Sequence, residues 1–124
     1  MPNLFPEQPD LYQAAFYAFE RAARARYEPT NPPDLPLADL EALVWAAFEA
    51  EGHVPICPVL FLALPGRDTG AMIFDGQTTT IWLPPGRLRP WAALHEAAHV
   101  ITLGAGHDPR FAGCCLRLWA RLGN

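Results

Sequence analysis

Apolar positions along the chain change their spacing several times, and each spacing predicts a different element. From about Asp10 to Tyr27, the residues Tyr12, Phe16, Phe19, Ala23 and Tyr27 recur every three to four positions, the period of a helix with one buried face. Asp10 is placed to cap it, and Arg21, Arg24 and Arg26 fall in its C-terminal turns, where positive charge suits the helix dipole. Glu28 to Pro36, with four prolines, predicts a rigid connector. A second helix follows from about Pro36 to Glu51, with Leu37, Leu40, Val44, Ala47 and Phe48 as its stripe, and Gly52 ends it.

The middle of the chain is strand-like. Val54 to Leu64 is apolar but interrupted by Pro55 and Pro58, which predicts an edge strand or a bulged start. Ala71 to Phe74 and Thr78 to Leu83 flank Asp75-Gly76, a pair that tolerates the positive φ of a tight hairpin. After Pro84-Pro85-Gly86, Pro90 sits well at the first turn of a third helix. That helix is apolar on nearly every side, through Trp91, Ala92, Ala93, Leu94, Ala97, Ala98, Val100, Ile101 and Leu103, and it breaks between Gly104 and Gly106. Asp108-Pro109 then reads as N-cap and first residue of a last helix reaching about Leu122, with Phe111, Leu116, Leu118 and Trp119 as packing residues.

The third helix carries the candidate chemistry. A buried helix seldom holds two histidines and a glutamate idly, because each unsatisfied polar group there costs about 1–3 kcal/mol. His95 and His99 are four positions apart, hence about 40° apart around the axis, so their imidazoles can converge on one ion. His107, beyond the glycine break, can supply a third imidazole. Three neutral nitrogens and an open fourth position are what a hydrolytic zinc site needs. Glu96, between the two helical histidines, is placed to take a proton from water beside the ion and to pass it to a leaving amine. Asp108 is read as a helix cap, with a hydrogen bond that orients a ligand histidine as the alternative.

His95-Glu96-Ala97-Ala98-His99 followed by Gly106-His107-Asp108-Pro109-Arg110-Phe111 resembles the zincin metallopeptidases, most closely the SprT-like and WLM groups. The resemblance covers Pro90 to about Leu122. It implies a zincin-like α+β fold with two N-terminal helices, a small, twisted, mainly antiparallel sheet, the motif helix and a C-terminal helix, with His95, His99 and His107 as zinc ligands, Glu96 as the catalytic residue, and an edge strand that binds substrate in extended form. Seven residues separate His99 from His107 and no methionine follows, which disfavours the metzincin pattern. The absence of a CxxC pair removes the zinc ribbon of DNA-repair relatives, so a DNA-linked role does not carry over.

Composition narrows the remaining classes. At 124 residues and 51% hydrophobic content, residues 1–124 are expected to form a single domain burying roughly two-thirds of the unfolded surface. No apolar run is long enough to span a membrane, and the start lacks the basic and apolar regions of a signal peptide, so a cytoplasmic protein is expected. The chain has no serine and no lysine, which excludes serine nucleophiles and Schiff bases. Residues 1–86 hold four arginines against eleven acids, a poor match to nucleic acid, so no strong nucleic-acid binding is expected. Residues 87–124 hold five arginines against two acids; such a set is more often a solvated surface with helix-end dipole compensation, and the alternative is that Arg87, Arg89, Arg110, Arg117 and Arg121 form a basic face that receives an acidic peptide or a carboxyl terminus.

The expected activity is therefore zinc-dependent hydrolysis of a peptide bond in a peptide or protein substrate. One alternative is a regulator-cleaving peptidase of the ImmA/IrrE type or a hydrolase of another amide. The other is a non-catalytic zinc-stabilised interaction module in which His53 or a cysteine closes the site. Cys57, Cys114 and Cys115 are an odd number of thiols, read as small core or surface residues, with a Cys-His nucleophilic site through Cys57 or Cys115 as the alternative.

Overall fold

The computed structural model describes residues 12–29 and 32–123. Their elements run α1 (Gln13–Tyr27), α2 (Leu37–Ala50), β1 (Val59–Leu62), β2 (Ala71–Phe74), β3 (Thr79–Trp82), α3 (Pro90–Ile101) and α4 (Pro109–Leu122), an α+β arrangement of four helices and a small sheet. Asp10, the expected cap of the first helix, lies outside the described residues.

The sheet has the order β1-β3-β2, with β1 parallel and β2 antiparallel to the central β3. A mainly antiparallel sheet is thus corrected to one with a pair of each kind. β2 and β3 are joined by a tight hairpin, where Gly76 takes φ 92° and the Asp75 carboxylate accepts from the backbone N–H of Gln77 and Thr78 at 2.8 and 2.7 Å. Residues 63–70 carry the chain from one edge to the other, so β3 enters between β1 and β2. β1 is also shorter than the apolar run from Val54 to Leu64. Pro55 and Pro58 lack the N–H that a ladder requires, and pairing begins at Val59 on an edge strand.

Alternation along the strands sets one face of the sheet on α3. Thr79 and Ile81 of β3 are buried, while Leu60, Leu62 and Ile73 on the opposite face are exposed. α3 lies in the middle of the core, with Ala93, Leu94, Ala97 and Ala98 fully buried. Its small residues allow the sheet, α2 and α4 to approach from different sides. α2 contributes Leu40, Val44, Ala47 and Phe48, and α4 contributes Phe111, Cys114, Cys115, Leu118 and Trp119. Each large side chain buried here stabilises the fold by about 1.5–3 kcal/mol relative to exposure. Trp119 stacks on Trp91 with ring centres 4.5 Å apart, fixing α4 against the start of α3.

Two expected stripes are corrected. On α4, Leu116 points to solvent, because a helix burying Phe111 returns to the same face at 114, 115, 118 and 119. On α1, Tyr12, Phe19 and Tyr27 are exposed, and the inward face runs instead through Phe16, Tyr17, Glu20 and Ala23. The described part of the proline-rich connector is pinned rather than loose. Asp34 accepts from the N–H of Gly86 and Leu88 at 2.7 and 3.2 Å, and the N–H of Leu35 donates to the Leu88 carbonyl. Among the described residues, no helix is long and apolar enough to cross a membrane.

Candidate functional site

α3 and α4 meet at a turn that determines where the third histidine points. Thr102 closes α3 through backbone and side-chain bonds to the Ala98 carbonyl, and Gly104 and Gly106 adopt φ of 88° and 59°. A side chain would strain either position. The chain then enters α4, where Asp108 accepts from the N–H of Arg110 and Phe111 at 2.9 and 3.2 Å and Pro109 occupies the first turn. Asp108 is therefore the cap, and it anchors the residue next to His107.

His95, His99 and His107 come together, with one ligand-type nitrogen from each lying within 4.8 Å of the others. Their ring centres are 5.0 Å (95–99), 4.8 Å (99–107) and 5.6 Å (95–107) apart. Phe111, fully buried, packs against all three, stacking on His99 at 4.1 Å and meeting His95 and His107 edge-on. Phe16 of α1 meets the Phe111 ring edge-on at 4.9 Å and reaches His95 and His107 at 5.7 Å each. Two touching aromatic rings thus pack beside the three imidazoles, of which His95 and His107 are buried. Nitrogen donors gathered in threes fit zinc, whose histidine ligands sit at about 2.0–2.1 Å in a tetrahedral arrangement with room for a fourth group.

Sequence reasoning missed Glu20. Its carboxylate lies 2.7 Å from Nδ1 of His95, so that Nδ1 carries the proton and donates it, leaving Nε2 as the lone-pair nitrogen. A carboxylate behind a ligand histidine fixes both its tautomer and its orientation. Burial by itself would lower the His95 pKa, but the Glu20 hydrogen bond and the negative charges of Glu96 and Glu20 outweigh it and raise the value. One signal was present in the sequence: an acid at position 20, one helical turn after Phe16 and one before Ala23, in the middle of an otherwise apolar face.

Glu20, His95 and Cys115 form a second close group. The hydrogen bond already made between Glu20 and His95 turns that group into a support for the first one. Cys115 is buried, and burial pushes its thiol well above the usual range, with the Glu20 charge adding to the effect. Cys114 is pushed up to about 11, again mainly by burial. Both are poor nucleophiles in this setting. Cys57 and His53 line a separate pocket of about 180 Å³ at the other end of α3, and His53 belongs to neither metal-type group.

Glu96 is buried, and burial pushes its carboxyl up to about 7, with the charges of His95 and Arg67 pulling down and that of Glu20 pushing up. It faces Gly70, just before β2. A Cβ at position 70 would stand 2.9 Å from Oε2 of Glu96 and 3.2 Å from a Leu83 methyl, so only glycine leaves the carboxylate its place. Tyr17 stacks nearly parallel to His95 at 5.9 Å and lies 4.8 Å from His107. His95, Glu96 and Tyr17 open onto a cleft of about 500 Å³ walled by α1, the loop before β2 and the start of α3. The expected basic face divides: Arg87 lines this cleft, whereas Arg89, Arg110 and Arg117 pair with Glu28, Asp108 and Glu51. Compared with models of known protein families, with curated proteins and with solved structures, the chain gives no match.

Proposed function

We propose that this chain is a zinc-dependent hydrolase acting on a peptide bond, related in its chemistry to the zincins of the SprT-like and WLM groups. One observation carries the reading: three imidazoles whose ligand-type nitrogens lie within 4.8 Å of one another, one of them braced by the partly buried Glu20 carboxylate, beside the buried carboxylate of Glu96 at the head of an open cleft. Zinc held there would supply Lewis acidity toward the scissile carbonyl and lower the pKa of water toward about 7.

The side chains of the protein do the rest. His95, His99 and His107 are the ligands, and Glu20 keeps His95 in the tautomer that presents Nε2. Glu96, with a carboxyl near pH 7, can accept a proton from the attacking water and return it to the leaving nitrogen. Gly70 leaves that carboxylate its position. Tyr17 brings a phenol to the cleft wall, the kind of donor that oxygen charge in the transition state requires. The rival module, closed by His53 or a cysteine, has less support, since His53 joins neither group of potential ligands and Cys115 groups with Glu20 and His95 rather than with the three histidines together.

Glu96→Gln tests the assignment. The variant should take up zinc like the parent and lose turnover of a peptide-library substrate by about 10²–10⁴-fold, the usual weight of a general base. Zinc uptake with undiminished turnover would remove Glu96 from the reaction.

A further inference from the structure

The cleft beside His95 and Glu96 has a charge opposite to that of the chain. The protein carries a formal net charge of −4 and nine arginines, and three of these, Arg21, Arg24 and Arg87, line this one cleft. They come from two separate elements, the outer flank of α1 and the loop that leads into α3. The acids in the wall are Glu20 and Glu96, and Glu20 is engaged with His95 at 2.7 Å.

The three arginines are not equally occupied. Arg24 donates to Glu28 at 3.0 Å, and Glu28 also faces Arg89 at 3.6 Å. Among the described residues, the Arg87 guanidinium donates through Nε alone, to the Asp68 carbonyl at 3.1 Å. Arg21 has no hydrogen-bond or ion-pair partner among the described residues. Two guanidinium groups therefore face the cleft with donors to offer. A guanidinium's fork of N–H groups matches a carboxylate in two parallel bonds. Low-dielectric walls with an excess of one sign also concentrate ligands of the other. Gln13 and Thr69, in the same wall, offer neutral partners for a peptide backbone. At about 500 Å³ the space falls within the range of about 300–1,000 Å³ that takes small ligands, enough for a short peptide segment.

We propose that Arg21 and Arg87 recognise a carboxylate on the substrate next to the bond presented to Glu96, so that the preferred substrates are acidic or C-terminal peptide segments. This substrate class rests on the hydrolase reading above. The carboxylate has two sources, the end of a peptide chain or an Asp or Glu side chain, and both have the same chemistry.

Titration calorimetry separates these possibilities and keeps the proposal independent of metal. Four peptides serve as probes: acetyl-tetraalanine with a free carboxyl terminus, the same peptide ending in an amide, an amide-capped peptide with a central Glu, and its Gln counterpart. Each is titrated into metal-free protein and into zinc-loaded Glu96→Gln protein, which binds without turnover. At least one carboxylate peptide should bind about ten- to hundredfold more tightly than its neutral partner, the weight of a charge-assisted pair. The partner pair that shows the difference identifies the source. Arg21→Gln combined with Arg87→Gln should abolish the preference, leave binding of the neutral peptides unchanged, and keep the parental Tm. Equal binding of all four, no binding of any, or a preference that survives the double variant would overturn the proposal. A preference in metal-free protein that takes up no zinc would retire the hydrolase reading and leave a carboxylate-binding cleft standing.

Discussion

The two flanks of the histidine cluster are built in contrasting ways. The segment from Pro90 to Leu122 is continuous: a buried helix, a glycine turn, a cap and a second helix deliver His95, Glu96, His99, His107 and Phe111. The other flank is α1, which reaches the same cluster from more than seventy residues upstream with Phe16, Tyr17 and Glu20. The first flank is held by local rules, since each turn of chain constrains the next. The second is held by long-range packing together with polar contacts such as the 2.7 Å hydrogen bond between Glu20 and His95. The candidate ligands come from the flank with local order, and the groups that pack on them and hydrogen-bond to them come from the other.

Removing a ligand strikes the contrast hardest. His107→Ala should lose most or all of the zinc that the parent holds, measured by elemental analysis of untagged protein, because two histidines and a water bind far more weakly than three histidines. A variant that retains a full complement would shift the site onto the α1 flank, toward Glu20 and Cys115. Glu20→Gln sharpens the same contrast. It keeps the size of the side chain but removes the charge behind His95, and it should weaken zinc binding by about 10–100-fold in a competition titration while leaving the fold intact. Unchanged affinity would reduce α1 to a cover.

The smallest effect concerns the α2–α4 contact behind the first flank. Arg117 donates to both carboxylate oxygens of Glu51, at 2.7–3.2 Å. That hydrogen bond, opposed by partial burial and assisted by the guanidinium charge, holds Glu51 below its ordinary 4.5. A depressed carboxylate stabilises the fold above its unfolded value and loses that contribution as pH falls through the lower folded value. Parent and Glu51→Gln should therefore differ by at most a few degrees in Tm at neutral pH and converge below about pH 4. A gap that widened in acid would reverse the sign and exclude the ion pair as its cause.

What the sequence disclosed follows the same division. His95, Glu96, His99 and His107 were legible because a polar motif at helical spacing is conspicuous inside an apolar helix, and Asp108-Pro109 because capping is a local event. The hairpin at Asp75-Gly76 was legible for the same reason. α1 misled, since Tyr12, Phe19 and Tyr27 satisfy a helical period yet face solvent, and the face turned inward carries a carboxylate. Aromatic count does not fix the buried face of a helix when another element reserves that face for a polar contact. The parallel pairing of β1 with β3 was illegible too, because it depends on which edge an irregular connection reaches.

Gly70 extends this beyond the motif. Its missing methyl group is the volume that the Glu96 carboxylate requires, bounded on its other sides by Leu83 and the Trp82 carbonyl. The working part of that position is a hydrogen atom, and it lies 26 residues before the glutamate it serves. Any chain that keeps this glutamate in this pose has a one-letter alphabet at that place. A glycine on the loop entering the second strand therefore belongs to the signature of the site, alongside the histidines, for anyone searching for the same arrangement in other sequences.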